Sequence, residues 1–242
     1  MIKFFRKIRQ NLLSENKFSK YLIYAIGEIV LVVIGILFAL SINNWNENRK
    51  LQKEELNLLS DIRTNLISNY NTFKNDSLVN QGDILKYEKI ENYIENNLKY
   101  DKELDSSFGV LTFWSTPYIT SSAYNTLQTK GLDVIQNERL RQNIVDMYEI
   151  RLKSLINDYD KSEWNISEVV TPFFSKHIRR LHKKSLRLSR PNDFEKLKHN
   201  EEFQNILSMI IRQRKRGQEF FGEVMTEMKR LIDAIETEIN SR

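Results

Sequence analysis

From Tyr21 to Ile42 the chain reads YLIYAIGEIVLVVIGILFALSI, an apolar run in which Glu28 is the single ionisable side chain. A hydrocarbon core about 30 Å thick is crossed by about 20 apolar residues in a helix, so the run predicts a transmembrane helix over 21–42. Beyond it the pattern takes on a helical period. Trp45, Leu56, Leu59, Ile62, Leu66 and Phe73 recur at three- and four-residue steps, with no Pro or Gly between them and the span. That spacing makes one apolar helix face, and predicts that the span continues outward as a stalk helix over 43–80.

Asn80-Gln81-Gly82-Asp83 reads as the break, since Gly82 can take the left-handed conformation that ends helices. A second helix is expected over about 84–99, with Leu85, Ile90, Tyr93, Ile94 and Leu98 on its apolar face. Residues 100–120 lose the period but keep Phe108, Val110, Leu111, Phe113, Trp114, Pro117 and Tyr118, and read as a connector with room for a short strand. Helical pattern resumes near Ser121 and stops at Gly131. Asn137 then caps a long helix whose stripe runs Ile144, Tyr148, Leu152, Leu155, Tyr159, Ile166, Val170, Phe173, His177 and Leu181. The register survives Pro172, which predicts a kink there rather than an end. Ser189 to Asp193 reads as a turn. The last helix, from about Asn200, places Phe203, Leu207, Ile210, Phe221, Val224, Met228, Leu231 and Ile235 at near-heptad spacing, with Arg214 and Gly217 interrupting the seam.

The fold class that follows is all-α: a single N-terminal transmembrane helix continuing into a stalk, then an antiparallel helical bundle. The divisions are an arm over 1–20, the span over 21–42, the stalk over 43–80 and the bundle over 81–242.

The net charge of +5 suggests a nucleic-acid binder at first sight. Its distribution removes that reading. Six of the 37 basic residues and one of the 32 acidic ones fall in the first twenty positions, which leaves 31 of each sign in the remainder. The excess belongs to the arm. It also sets the expected orientation, because six Lys or Arg precede the span and only Arg49, Lys50 and Lys53 follow closely; the positive-inside bias puts the N-terminus in the cytoplasm and the C-terminal part outside. Tyr21 and Tyr24 on one side and Trp45 on the other are expected as interfacial anchors. The run is too long for a cleaved signal, whose apolar stretch is about 7–15 residues, and reads as an anchor. Within the arm, Phe5, Ile8 and Leu12 stand opposite Lys3, Arg6, Lys7 and Arg9. This is the pattern of a helix lying on anionic lipid; a basic tail that serves only as a topology signal is the simpler alternative. No cysteine is present, so neither disulfides nor thiolate metal sites arise.

Candidate chemistry is sparse. Mid-membrane carboxylates usually face protein or water, and Glu28 shares a helix face with Gly35 and Ala39, a small-xxx-small pair that lets helices approach closely. The combination suggests oligomerisation through the span, or contact with another membrane protein. The alternative is that Glu28 lies shallow enough to snorkel. His177 and His182 are five residues apart and His199 stands in a charged run, so no metal-ligand spacing appears and no metal or cofactor is expected. Lys176 to Arg190 holds seven Lys or Arg, among them Arg179, Arg180, Lys183 and Lys184. These, with Phe113 and Trp114, are the candidate partner surface, weighed against a solvated helix face and an aromatic plug at the end of the bundle. No phosphate loop, nucleophile elbow or triad spacing appears, and neither an enzyme, a nucleic-acid partner nor an identified small molecule is expected.

The segments YAIGEIVLVVIGILFALSINNWNE (24–47) and SSAYNTLQTKGLDVIQNERLRQNIVDMY (121–148) resemble an uncharacterised family of single-pass membrane proteins of Bacteroidota, domain of unknown function 6090. The resemblance implies a Gram-negative inner-membrane location and implies no activity. The reading that follows is a non-enzymatic, membrane-anchored scaffold, adaptor or accessory subunit with a periplasmic helical domain. One alternative is a proton-coupled, stator-like or transport accessory subunit that uses Glu28. Another is a periplasmic sensor or ligand-binding bundle, which predicts a polar pocket around Tyr124 and Tyr148.

Overall fold

A computed structural model describes residues 18–181, 185 and 187–242, with side chains from Leu22 onward save that of Tyr24. Among the described residues the protein is all-α apart from one small hairpin. Its first element, α1 (Phe18–Glu95), is a single helix. The chain divides into two compact units, Met1–Glu54 and Glu55–Arg242.

In the first unit α1 carries the apolar run. From Leu22 to Ile42 its large side chains are exposed, and no atom lies within 4 Å of a Cβ built on Gly27 or Gly35.

The second unit is built of columns that run up and down. Along α1, Leu59, Ile62, Leu66, Phe73, Tyr87 and Ile90 are fully buried. The chain then returns along this helix. The Tyr87 hydroxyl donates to Val110 O (3.0 Å), and the side-chain amide of buried Asn69 exchanges hydrogen bonds with the backbone of Thr120 (2.9 and 2.8 Å). At the base, Gln136 N–H donates to Glu55 Oε1 (2.8 Å). The returning segment holds α2 (Asp105–Gly109) and α3 (Ser122–Lys130). Ser121 does not cap α3 with its own side chain; Asn65 of α1 does so instead, accepting from Ala123 N–H at 3.0 Å. This satisfies a donor that a helix N-terminus leaves open. Gly131, at φ +103°, ends α3.

The third column is helical from 138 to 177: α4 (Glu138–Asp146), α5 (Lys153–Asn165) and α6 (Thr171–His177), joined by the π-helical turns Met147–Leu152 and Ile166–Val170. Asn137 caps it, accepting from Leu140 N–H at 3.1 Å. Pro172 sits in the first turn of α6, directly after the second π-turn. A proline ring crowds the carbonyl four residues back and has no N–H to offer, and the wider π-turn takes up that demand while the helix continues. The helix ends at His177, so Leu181 lies outside it. β1 (Ile178–Arg180) pairs antiparallel with β2 (Ser189–Pro191), and α7 (Phe194–Lys198) follows. Thus the expected turn at 189–193 begins as a strand, and the strand sought in the connector lies here instead. The last column, α8 (Glu201–Asn240), starts from its cap Asn200 and runs back down both α1 and the third column. Its direction shows in successive pairings: Lys215–Glu88, Asn80–Arg214, Phe73–Phe221, Arg63–Glu236 and Arg242–Glu55.

The expected break at Asn80–Asp83 does not occur; α1 continues to Glu95. Its polar side chains serve tertiary contacts rather than a cap. Asn80 Nδ2 donates to Arg214 O (2.9 Å) and Gln218 Oε1 (3.2 Å), and Asp83 pairs with Lys86 (3.2 Å) and faces Arg214 (3.7 Å).

The apolar interior forms two clusters. One contains Leu59, Phe73, Tyr148, Tyr159 and Phe221; the other contains Tyr87, Phe108, Phe173, Phe203 and Ile210. Trp114 packs against both, its indole N–H donating to Tyr159 O at 3.1 Å. At this junction sits Arg214, buried in the seam it was expected only to interrupt. Its guanidinium stacks 4.1 Å from the Trp114 ring and donates to Asn80 Oδ1 (3.1 Å) and to Phe113 O.

Candidate functional site

The residues singled out from the sequence fall in separate places. Glu28 is half-buried on α1, Gly35 and Ala39 are exposed on it, and Trp45 is exposed with the Arg49 guanidinium 6.0 Å from its ring. α1 is the one helix, among the described residues, long and apolar enough to cross a membrane by length and composition. Lys3, Arg6, Lys7, Arg9, Lys183, Lys184 and the side chains of Tyr21 and Tyr24 lie outside the described residues. Of the suggested partner surface, Trp114 is half-buried and packs against both apolar clusters. Arg180 is half-buried between two rings, 4.9 Å from Phe174 and 5.7 Å from Phe113, and donates to Thr112 Oγ1 at 2.6 Å. Phe113 and Arg179 are exposed. The His177 ring stacks on Phe173 at 4.4 Å.

Around Tyr124 and Tyr148, where a polar pocket was expected, lies a cleft whose accessible lining is more apolar than polar. It holds about 490 Å³ between α3 and the third column, lined by Tyr124, Gln128, Tyr148, Glu149, Lys153 and Asn157 among others. Tyr148 and Glu149 lie in the first π-turn. Single π-turns inside α-helices are frequent at functional sites because the extra residue displaces side chains from their α-helical register. The two tyrosine rings stack face to face, centroids 4.5 Å apart and planes 2° from parallel. Both are about 96% buried, and the Tyr148 hydroxyl has no hydrogen-bond partner. Gln128 Nε2 bridges the Tyr124 hydroxyl (3.4 Å) and Glu149 Oε1 (3.1 Å), and Glu149 pairs with Lys153.

The electrostatics keep both phenols protonated. Burial, with Glu149 alongside, pushes Tyr124 up to about 12. Burial, with Tyr124 alongside, raises Tyr148 further. The Lys153 ammonium holds Glu149 below the usual carboxylate range. The cleft therefore offers a row of amides and a balanced ion pair, a set suited to a neutral polar group, while the Tyr148 hydroxyl itself is sealed from solvent. Tyr148 was legible from its position on the predicted stripe and Tyr124 from the helical segment expected between Ser121 and Gly131; Gln128, Glu149 and Lys153 were not, since each reads as an ordinary exposed helix residue.

The sequence also carries a family signature. The family of unknown function DUF6090 matches residues 28–198, most of the chain and all but the last helix of the bundle. The chain belongs to this family. The matched region begins in the apolar run and includes the tyrosine cleft. No curated protein and no solved structure matches the chain.

Proposed function

We propose that this is a non-enzymatic, single-pass protein of a Gram-negative inner membrane, with its N-terminus in the cytoplasm and its helical bundle in the periplasm. It acts there as a scaffold, adaptor or accessory subunit and assembles through its span. The observation that carries the reading is the contrast along α1. From Leu22 to Ile42 its large apolar side chains are exposed among the described residues, while from Leu58 onward the same helix is a core element of a bundle. A helix of that kind puts its apolar stretch into lipid, and the charge of the arm sets the direction. Glu28, Gly35 and Ala39 lie near one face and give the span a surface for another helix.

Because the chain has no cysteine, single cysteines report topology and assembly without background. In intact spheroplasts a cysteine at Asn240 should react with a membrane-impermeant maleimide, and one at Lys3 only after lysis. Cysteines at Gly35 and Ala39 should crosslink within native membranes to a second copy or to another membrane protein. A protected Asn240 position would sink the topology, and the absence of any crosslinked product would sink assembly through this face. Glu28→Gln that assembles normally yet loses function would shift the reading to proton coupling.

The tyrosine cleft supports a second reading, a ligand-binding bundle. Its test is protection of a cysteine at Asn125 or Asn157 from maleimide by a periplasmic extract, with Tyr148→Phe as the control that leaves the ring and removes the free hydroxyl.

A further inference from the structure

From Val169 to Asn192 the chain contains no Asp or Glu, and its cations include Lys176, Arg179, Arg180, Arg187 and Arg190. A run of one sign is ordinarily solvated, and Lys176 and Arg179 fit that description: both are exposed, with no side-chain hydrogen bond or ion pair among the described residues. Arg190 serves the fold instead, its guanidinium bridging the two oxygens of Asp105 at 3.0 and 2.6 Å. Arg180 and Arg187 differ from all three, because the hairpin sets both of them against one aromatic ring.

That hairpin is held firmly on the bundle. Leu181 N–H donates to Leu188 O at 2.8 Å, and Asn192 N–H donates to His177 O at 2.8 Å. Ser189 is fully buried, and the backbone of Arg187 passes so close to Gly109 that no Cβ fits between them. The Arg187 side chain nevertheless stays exposed. Its guanidinium carbon lies 5.7 Å from the centre of the Phe113 ring, and that of Arg180 lies 5.7 Å from the same centre. The two charges are therefore no further apart than twice that distance, across a ring that is 37% exposed. Arg180 is positioned further by Thr112 Oγ1 at 2.6 Å and by the Phe174 ring at 4.9 Å. Arg187 makes no side-chain hydrogen bond or ion pair among the described residues. Asp76 and Asp83 line the same cavity as Arg187 without pairing with it, and Asp83 is held by Lys86 and Arg214.

The result is a small surface with an apolar centre and two cations beside it. A guanidinium fork matches a carboxylate through two parallel hydrogen bonds and stays charged at every working pH. Arginine and aromatic side chains are also the residues that protein interfaces concentrate at their centres. Ordering a long cation normally opposes binding; here the fixed hairpin and the Phe113 ring restrict Arg187 before any partner arrives. A bilayer fits the surface less well. Lipid-facing surfaces press apolar side chains into the acyl boundary, whereas Phe113 has guanidiniums beside it and Leu181 and Leu188 are half-buried.

We propose that Phe113, Arg180 and Arg187 form a docking surface for an acidic segment of another protein, with Asp or Glu side chains on the two guanidiniums and an apolar side chain on Phe113. This deepens the adaptor reading by naming the class of partner, and rests on that reading for the partner being a protein. Binding is measured on the solubilised chain, so its failure leaves the topology and the assembly through the span standing.

The full chain in uncharged detergent micelles is titrated into a fluorescein-labelled peptide, Glu-Leu-Glu-Glu-Leu-Glu, and followed by anisotropy at low salt, where screening is weak. It should bind saturably, about tenfold or more tightly than the same peptide with Gln in place of each Glu. Arg187→Glu should weaken the Glu peptide about tenfold, whereas Arg139→Glu and Lys229→Glu, the same charge change at exposed positions elsewhere, should stay within about twofold of the parent. Phe113→Ser, which alters no charge, should weaken it about fivefold. An unchanged melting temperature shows that each variant is folded. The proposal falls if the Gln peptide binds as tightly as the Glu peptide, or if the Glu peptide shows no binding at about 1 mM. It falls equally if Arg187→Glu is no weaker than Arg139→Glu, or if Phe113→Ser binds as the parent does. Displacement of the peptide by glycerol phosphate at lower concentrations than by unlabelled peptide would also overturn it, since the surface would then recognise a lipid headgroup.

Discussion

Gly109 closes α2 against the hairpin, and a Cβ added there would run into the backbone carbonyl of Arg187. Backbone cannot rotate aside as a flexible side-chain tip can, so Gly109→Ala should cost about 3 kcal/mol, the upper end of the overpacking range. In thermal unfolding of the detergent-solubilised chain that is a fall in Tm of about 6–12 °C. Gly82 is the opposite case. It lies within α1, and nothing stands within 4 Å of an added Cβ. Gly82→Ala should therefore stabilise by about 0.5–1 kcal/mol, largely by restricting the unfolded chain; a drop in Tm would show that the helix is not continuous at that point. Tyr87 makes a third test. It is fully buried with its hydroxyl on Val110 O, and burial pushes it up from 10.0 to about 12. A folded-state value above the unfolded one gives stability that is intact below pH 10 and lost as pH rises toward 12. Urea midpoints across that window should fall more steeply for the parent than for Tyr87→Phe.

Elements of this chain were legible where the signal was local. The caps Asn137 and Asn200, the stop at Gly131 and the buried stripes of the third column and α8 all follow from short-range chemistry and a 3.6-residue period. Asn137 does more than cap: its Nδ2 also donates to Glu238 Oε2 of α8 at 2.7 Å. Asn137→Ala should thus cost about 1–2 kcal/mol, at or above the usual value for a lost cap, whereas Asn137→Asp, which keeps the cap acceptor and places a carboxylate against Glu238, should fall between them in thermal unfolding. The misread break in α1 and the misread interruption in α8 share one cause, that their polar residues act at long range. Ser77, Asn80 and Arg214 occupy core-spaced positions on their stripes, and a stripe that turns polar without losing register marks a buried polar layer rather than a break. That signal was available in the sequence. The hairpin was not, because three-residue strands rich in arginine carry no alternation to read, and the π-turns add a residue without disturbing the apolar order around them.

At the scale of the whole molecule, apolar surface is distributed unevenly. Both interior clusters draw their buried residues from Leu58 onward, and the caps and ion pairs that tie the columns together begin at Glu55. The large side chains from Leu22 to Ile42, by contrast, are exposed and contribute nothing to either cluster. Removing them should leave the bundle intact, since no core contact is lost, and should remove the surface that demands lipid or a partner helix. A chain of residues 43–242 is therefore expected to be soluble without detergent, strongly helical by circular dichroism, and to unfold in one cooperative transition. If assembly runs through the span, this fragment should sediment as a monomer at concentrations where the full chain in micelles is oligomeric. An insoluble or molten fragment would mean that residues 1–42 complete the fold. A fragment that oligomerises like the full chain would move the assembly surface from the span to the bundle, with the exposed side chains of Phe113 and Arg179 the first positions to mutate.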